Sequence, residues 1–78
     1  MQATIRSYII DDLLSGKPVA DDDNLLLSGL IDSLGVMRLV RFLESSFAIK
    51  IPAEDVTIDH FESIRTITAY VETRRQAA

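Results

Sequence analysis

The sequence has no cysteine or tryptophan, and its 78 residues include one histidine, two prolines and three glycines. Without cysteine the chain can form neither a disulfide framework nor a thiolate metal site. Its only histidine, His60, stands in no motif that would make it the base of a nucleophilic serine. These absences disfavour an enzyme, and we expect no catalytic residues and no metal.

Long apolar runs and an excess of basic residues are also missing. The longest apolar runs are only a few residues, such as Leu25-Leu26-Leu27, so no segment is expected to span a membrane. The first residues lack the apolar region of a signal peptide, and we expect a soluble, cytoplasmic protein. The formal net charge of −4 disfavours nucleic acid and anionic membranes as partners, because both attract basic surfaces.

The length predicts a single small domain over residues 1–78. A chain of this size buries only roughly 60% of its unfolded surface, so its core is thin. With 47% hydrophobic residues the chain can still fold alone, but it has no room for a deep substrate cavity beside a full core.

Apolar periodicity predicts a first helix near the N-terminus. Ile5, Ile9 and Leu13 recur at intervals of four, with Tyr8 alongside, which forms one apolar stripe. We expect this helix to end near residues 15–16.

The second helix has the clearest pattern and is predicted to begin after Asp32. Its predicted core face consists of Val36, Val40, Leu43 and Phe47. Its predicted exposed face consists of Leu34, Arg38, Arg41 and Ser45, with Met37 at the border.

Residues 16–32 form a long connection, and four of its residues are expected to anchor it to the core: Leu25, Leu27, Leu30 and Ile31. Gly29 suits a tight turn with positive φ.

Pro52 is predicted to open a short helical turn. Ser63 is predicted to cap a last helix with the core stripe Ile64, Ile67 and Val71. The predicted fold is all-α: a small bundle of three main helices and one short helix, with a long loop between the first two.

The acidic run Asp21-Asp22-Asp23 does not match a calcium loop. Read as an EF-hand from Asp21, the fifth and sixth positions would be leucines, where a ligand and a glycine are needed. We interpret the run as a solvated acidic loop.

The pair Asp32-Ser33 stands at the predicted start of the second helix and allows three interpretations. Both residues are favoured N-caps, so capping is the simplest. A nucleophilic serine would need a base within hydrogen-bond reach, and His60 gives no sign of supplying one. Ser33 could also carry a phosphate ester, because a helix N-terminus offers N–H groups and the positive end of the helix dipole. The same N–H groups and dipole would stabilise a phosphate added by a kinase.

The stretch "GLIDSLG", the amphipathic helix after it, "FAIKIP" and the final helix together resemble the acyl carrier protein family, including the peptidyl carriers. The resemblance runs from the first helix to about Val71. It implies that Ser33 carries 4′-phosphopantetheine, transferred from coenzyme A by a phosphopantetheinyl transferase, and that the terminal thiol holds an acyl or aminoacyl thioester. It also implies that Asp32 helps the transferase to recognise the serine.

The resemblance further implies that Leu34, Met37, Arg38 and Arg41 form the face that partner enzymes bind. Carriers of bacterial fatty-acid synthesis usually show acidic residues along this helix, whereas here Gly35 and the two arginines leave it neutral to basic. Our hypothesis is a dedicated monomeric carrier of specialised biosynthesis (polyketide, nonribosomal peptide or related). An acyl- or amino-acid-activating ligase would load it, and downstream acyl-using enzymes would unload it.

Two alternatives remain open at this point. The first is an unmodified helical adaptor that binds one protein and in which Ser33 is only a helix cap. The second is an interaction module controlled by phosphorylation.

Overall fold

The computed structural model describes residues 1–77, with the side chains of residues 1–75. Within this range the chain is helical and contains no strand, which confirms the predicted all-α bundle. The elements are α1 (Gln2–Tyr8), continued by a π-helical turn (Ile9–Leu13), then α2 (Ser33–Phe47), a 3₁₀ turn (Ala53–Asp55), α3 (Ile58–Phe61) and α4 (Ile64–Ala77). In the part of the chain that is described, no helix is both long and apolar enough to cross a membrane.

The first helix buries a slightly different stripe from the predicted one. Ile5 and Ile9 are completely buried as expected, but Leu13 is only half-buried, and Leu14 takes its place in the core. The reason is the π-helical turn, in which the Leu14 N–H donates to the Ile9 carbonyl five residues back at 2.9 Å. This wider turn moves the apolar stripe on by one residue. Gly16, with φ of +87°, then ends the helical segment in the left-handed region where the sequence had placed its end.

In α2 the centre of the core face is Leu39 and Leu43, which are 1% and 0% exposed. Leu43 was predicted, whereas Leu39 was missed. The other three predicted core residues are half-buried at the edge of the core: Val36, Val40 and Phe47. Val36 is not fully covered because its side of the helix faces an open cleft.

The long first connection is anchored by fewer leucines than predicted. Leu25 and Ile31 are buried and Leu30 is half-buried, but Leu27 is 75% exposed, so its predicted role as an anchor is wrong. The Asn24 side chain explains this. Its Oδ1 accepts hydrogen bonds from the N–H of Leu27 at 2.7 Å and of the preceding residue at 3.1 Å. The resulting turn points Leu27 to solvent.

The acidic run of this connection ties it to two helices. Asp21 is ion-paired with Arg6 of α1, and Asp22 with Arg65 of α4. The hydrogen bond from Arg65 lowers the pKa of the Asp22 carboxyl. Asp23 accepts a hydrogen bond at 2.8 Å from a backbone N–H three residues earlier. Among residues 1–77 no group of acidic and histidine side chains is arranged to hold a metal ion.

The segment after α2 contains two short helical pieces where one was predicted. Pro52 precedes the 3₁₀ turn, as expected, but the one-turn helix α3 follows as a separate element. α3 carries Phe61, which is 1% exposed and packs its ring against Tyr70 with centroids 5.7 Å apart.

The last helix agrees with its prediction. Ser63 Oγ accepts from the Thr66 N–H at 3.2 Å, and Thr66 Oγ1 accepts from the Ser63 N–H at 3.1 Å, which forms a reciprocal cap. The predicted stripe is completely buried at all three positions, Ile64, Ile67 and Val71.

The Tyr70 side chain on α4 makes the free energy of unfolding decrease at alkaline pH. The Tyr70 hydroxyl donates to Asp55 Oδ2 at 2.7 Å, and burial together with this hydrogen bond raises the pKa of Tyr70 from 10.0 to about 12. A group whose pKa is higher in the folded state stabilises the fold at pH values below its unfolded pKa. This contribution is therefore lost as the pH rises from about 10 through about 12.

We expect the free energy of unfolding to fall over this pH range in the wild type and to fall less in Tyr70→Phe. Urea denaturation at several pH values measures both. Tyr8→Phe is the matched control and should keep the wild-type slope, because the Tyr8 hydroxyl makes only a long hydrogen bond of 3.4 Å to a backbone carbonyl. Equal slopes in wild type and Tyr70→Phe would contradict the prediction.

Candidate functional site

The start of α2 separates the cap from the serine. Asp32 is the N-cap: its backbone is extended, with φ of −97° and ψ of −174°, and its Oδ1 accepts from the Gly35 N–H at 2.9 Å. Ser33 is the first helical residue, and its hydroxyl takes no part in the cap. Its side chain is exposed to solvent. The capping interpretation of the pair Asp32-Ser33 is therefore confirmed for Asp32 and wrong for Ser33.

The residues before the cap fix where the serine lies. Ile31 is buried and its N–H donates to the Leu25 carbonyl at 2.9 Å, which anchors the chain immediately before Asp32. Gly29 has φ of +80°, as predicted for a tight turn. Gly35 is needed for close packing, since a Cβ at this position would lie 2.8 Å from Ile31 Cγ2. The first turn of α2 is thus held against the loop by a buried side chain, while Ser33 faces outward.

The electrostatics of this end of α2 suit an anionic group. The first N–H groups of a helix have no carbonyl partner within the helix. Of these groups in α2, the Asp32 side chain accepts a hydrogen bond only from the N–H of Gly35. The N–H groups of Ser33 and Leu34 remain at the positive end of the helix dipole. A phosphate ester next to them would be stabilised by the dipole and by hydrogen bonds. The N–H groups and the dipole at this end of α2 therefore favour a phosphate ester on the exposed Ser33 hydroxyl.

A largely apolar cleft of about 660 Å³ lies beside Ser33. Met37 of α2 lines it on one side, and Val56 and Ile58 line it on the other, with the buried Phe61 at α3. Ile58 is 51% exposed and Val56 is 36% exposed, so both present apolar surface to solvent. Sequence reasoning missed these two residues, because they lie more than twenty positions from Ser33 and follow no helical stripe.

The four residues of the predicted partner face are all exposed on one side of α2. Leu34 and Met37 are 65% and 66% exposed, and Arg38 and Arg41 are exposed as well. This side lies opposite the buried leucines of the helix. The structure thus brings these residues together next to Ser33, as the sequence predicted; their partner role remains a prediction.

The single histidine lies elsewhere. The His60 ring packs on Tyr70 with centroids 4.6 Å apart, in a groove that also contains Asp55. This groove is separate from the cleft beside Ser33, so His60 offers the serine no base.

Comparisons with known proteins agree with this geometry. Residues 3–71 match the family model described as "Phosphopantetheine attachment site". The chain is 36% identical over 56 residues to the D-alanyl carrier protein of Streptococcus pyogenes serotype M5 (strain Manfredo), an alignment that covers 72% of this chain and 71% of the relative. The D-alanyl carrier protein of Streptococcus pyogenes serotype M1 matches over the same lengths with the same identity.

The fold and these matches define a carrier protein, a class that is not itself catalytic. The chain belongs to the phosphopantetheine-binding carrier protein family, and its cofactor is a covalently attached 4′-phosphopantetheine.

Proposed function

We propose that Ser33 is the attachment residue, and that the protein carries an acyl or aminoacyl group between enzymes. The observation that carries this proposal is an exposed serine hydroxyl at the first residue of α2, left uncommitted because Asp32 caps the helix. When attached, the cofactor supplies a terminal thiol that holds the cargo as a thioester. The cysteine-free chain has no thiol of its own to compete with it.

In the attachment step, a phosphopantetheinyl transferase uses coenzyme A as the donor. The bond from Ser33 Oγ to phosphorus forms as the pyrophosphate bond of coenzyme A breaks, the hydroxyl proton passes to a base of the transferase, and adenosine 3′,5′-bisphosphate leaves. The chain contributes the exposed hydroxyl and the positive end of α2, which favours the product phosphate. Asp32 holds the first turn in place and offers its carboxylate beside Ser33 for recognition by the transferase.

Partner enzymes would bind the exposed side of α2, which carries Leu34, Met37, Arg38 and Arg41. An activating ligase loads the cargo, and downstream acyl-using enzymes receive it. A tether on Ser33 raises the effective concentration of the cargo at each enzyme and keeps the cargo from bulk solution. For this role we propose a single monomeric carrier domain over residues 1–78.

The cargo we favour is an aminoacyl group loaded by an amino-acid-activating ligase. The relatives named D-alanyl carrier proteins support this choice. The basic α2 face supports a dedicated carrier of a specialised pathway, such as polyketide or nonribosomal peptide assembly, because charge at a binding rim sets partner choice. The unmodified adaptor is less well supported, since its premise that Ser33 caps α2 does not hold.

The proposal is tested by incubating the protein with coenzyme A, Mg²⁺ and a broad-specificity phosphopantetheinyl transferase. We expect the intact mass to rise by one phosphopantetheine, and peptide mapping to place it on Ser33. Ser28, an exposed serine in the preceding loop, serves as the internal control and should remain unmodified. A folded protein that gains no mass, or gains it on another residue, would contradict the proposal.

A further inference from the structure

We infer that the α2 face fits partner enzymes whose docking surface has an apolar centre and a rim of carboxylates. The inference rests on the proposed attachment at Ser33 and adds the chemistry of the partner. Carriers with an acidic second helix require the opposite charge on their partners, so this face would select a different set of enzymes.

An enzyme that approaches the Ser33 hydroxyl along α2 contacts this face. At about 1.5 Å of rise per residue, Arg38 lies ~7.5 Å and Arg41 ~12 Å along the helix axis from Ser33. Leu34 and Met37 lie between, and both are about two-thirds exposed. The contact area therefore has apolar side chains at its centre and guanidinium groups toward its far side.

The two arginines are available to an incoming partner. Both are exposed, and no residue in the described part of the chain forms an ion pair with Arg38 or Arg41. Arg6 and Arg65, by contrast, are neutralised by aspartates of the long connection. Arg38 and Arg41 therefore give this side of α2 two exposed positive charges that no side chain in the described part of the chain pairs with.

The carboxylate of the one acidic residue within α2 is bound by a backbone N–H beyond the end of the helix. Glu44 is half-buried, and its Oε2 accepts a hydrogen bond from the Ile51 N–H at 2.9 Å. That contact directs its carboxylate toward the segment that follows α2. Asp32 keeps its exposed negative charge at the Ser33 end of the helix, so the positive charge of the face lies at its Arg38 and Arg41 end.

The net charge of the whole molecule favours one orientation of an approaching acidic partner. The net charge is −4, so an acidic partner is repelled by the molecule as a whole and attracted at the two arginines of α2. Exposed acids lie elsewhere, for example Asp11 and Asp12 near the end of the first helical segment. Such an arrangement raises the rate of productive encounters and disfavours wrong orientations.

The test uses two phosphopantetheinyl transferases of known structure, one with an acidic and one with a basic carrier-docking surface. The readout is kcat/KM for transfer from coenzyme A. We expect wild type to favour the acidic enzyme, with a kcat/KM that falls as salt rises. In the double variant Arg38→Glu/Arg41→Glu we expect about a tenfold fall with the acidic enzyme and a rise with the basic one.

The matched control is Lys17→Glu/Lys50→Glu, which changes the net charge by the same amount at exposed positions outside α2. It should alter kcat/KM by less than about twofold. Circular dichroism checks that each variant is folded. Equal rates for wild type and the α2 variant with both enzymes would overturn the inference while leaving attachment at Ser33 intact.

Two further outcomes would also overturn it. If neither transferase modifies folded wild type, the proposed function fails and this inference fails with it. If sedimentation equilibrium shows a wild-type dimer that Arg38→Glu/Arg41→Glu dissociates, the face is covered by a second copy of the chain rather than by an acidic enzyme.

Discussion

Ser33→Ala is expected to abolish phosphopantetheine attachment completely while changing the free energy of unfolding by less than about 0.5 kcal/mol. The hydroxyl is the only nucleophile in the proposed attachment, so no partial activity should remain. Stability should be retained because Asp32, and not Ser33, accepts the capping hydrogen bond from Gly35. Intact mass after incubation with coenzyme A and a transferase measures attachment, and urea denaturation measures stability.

Asp32→Ala is expected to lose about 1 kcal/mol of stability, because it removes the side chain that accepts the capping hydrogen bond from Gly35. Asp32→Asn is the matched control, because asparagine caps a helix as well as aspartate but carries no charge. If the transferase recognises the carboxylate, Asp32→Asn should be stable yet modified slowly. Ser45→Ala, at another exposed serine of α2, should leave attachment and stability unchanged. A marked loss of stability in Ser33→Ala would show that the serine does act as a cap.

The sequence predicted the exposed side of α2 better than its buried side, for a physical reason. The exposed side of α2 follows from a single helical period, so Leu34, Met37, Arg38 and Arg41 could be placed without tertiary information. The buried side depends on what packs against it. Leu39 was missed because burial is decided by neighbouring elements that the periodicity of one helix does not contain.

The loop residues were the hardest to predict. Nothing in the run of three leucines distinguishes buried Leu25 from exposed Leu27, since the difference is made by the Asn24 side chain binding two N–H groups. Helix α3 is a single turn, too short to show a period. The cleft beside Ser33 depends on Val56 and Ile58, which meet α2 only in the folded chain.

The largest loss of stability is expected for Phe61→Ala. Phe61 is 1% exposed, packs on Tyr70 and lies at the cleft beside Ser33. Removing a buried phenylalanine side chain costs about 3–5 kcal/mol. A core of this size seldom supplies more than about 3–5 kcal/mol in total. We therefore expect the variant to be largely unfolded at room temperature, with most of its helical circular dichroism lost.

Ile58→Ala is the matched control, since Ile58 lies three residues earlier on the same helix and is 51% exposed. It should keep the wild-type helical signal and a cooperative thermal transition. A folded Phe61→Ala protein with near wild-type stability would contradict the assignment of Phe61 to the core. Because Ile58 lines the cleft beside Ser33, its variant also distinguishes the role of α3 in the core from its role in lining the cleft. Phe61 holds the bundle together, whereas loss of the Ile58 side chain should widen the cleft beside Ser33 without unfolding the carrier.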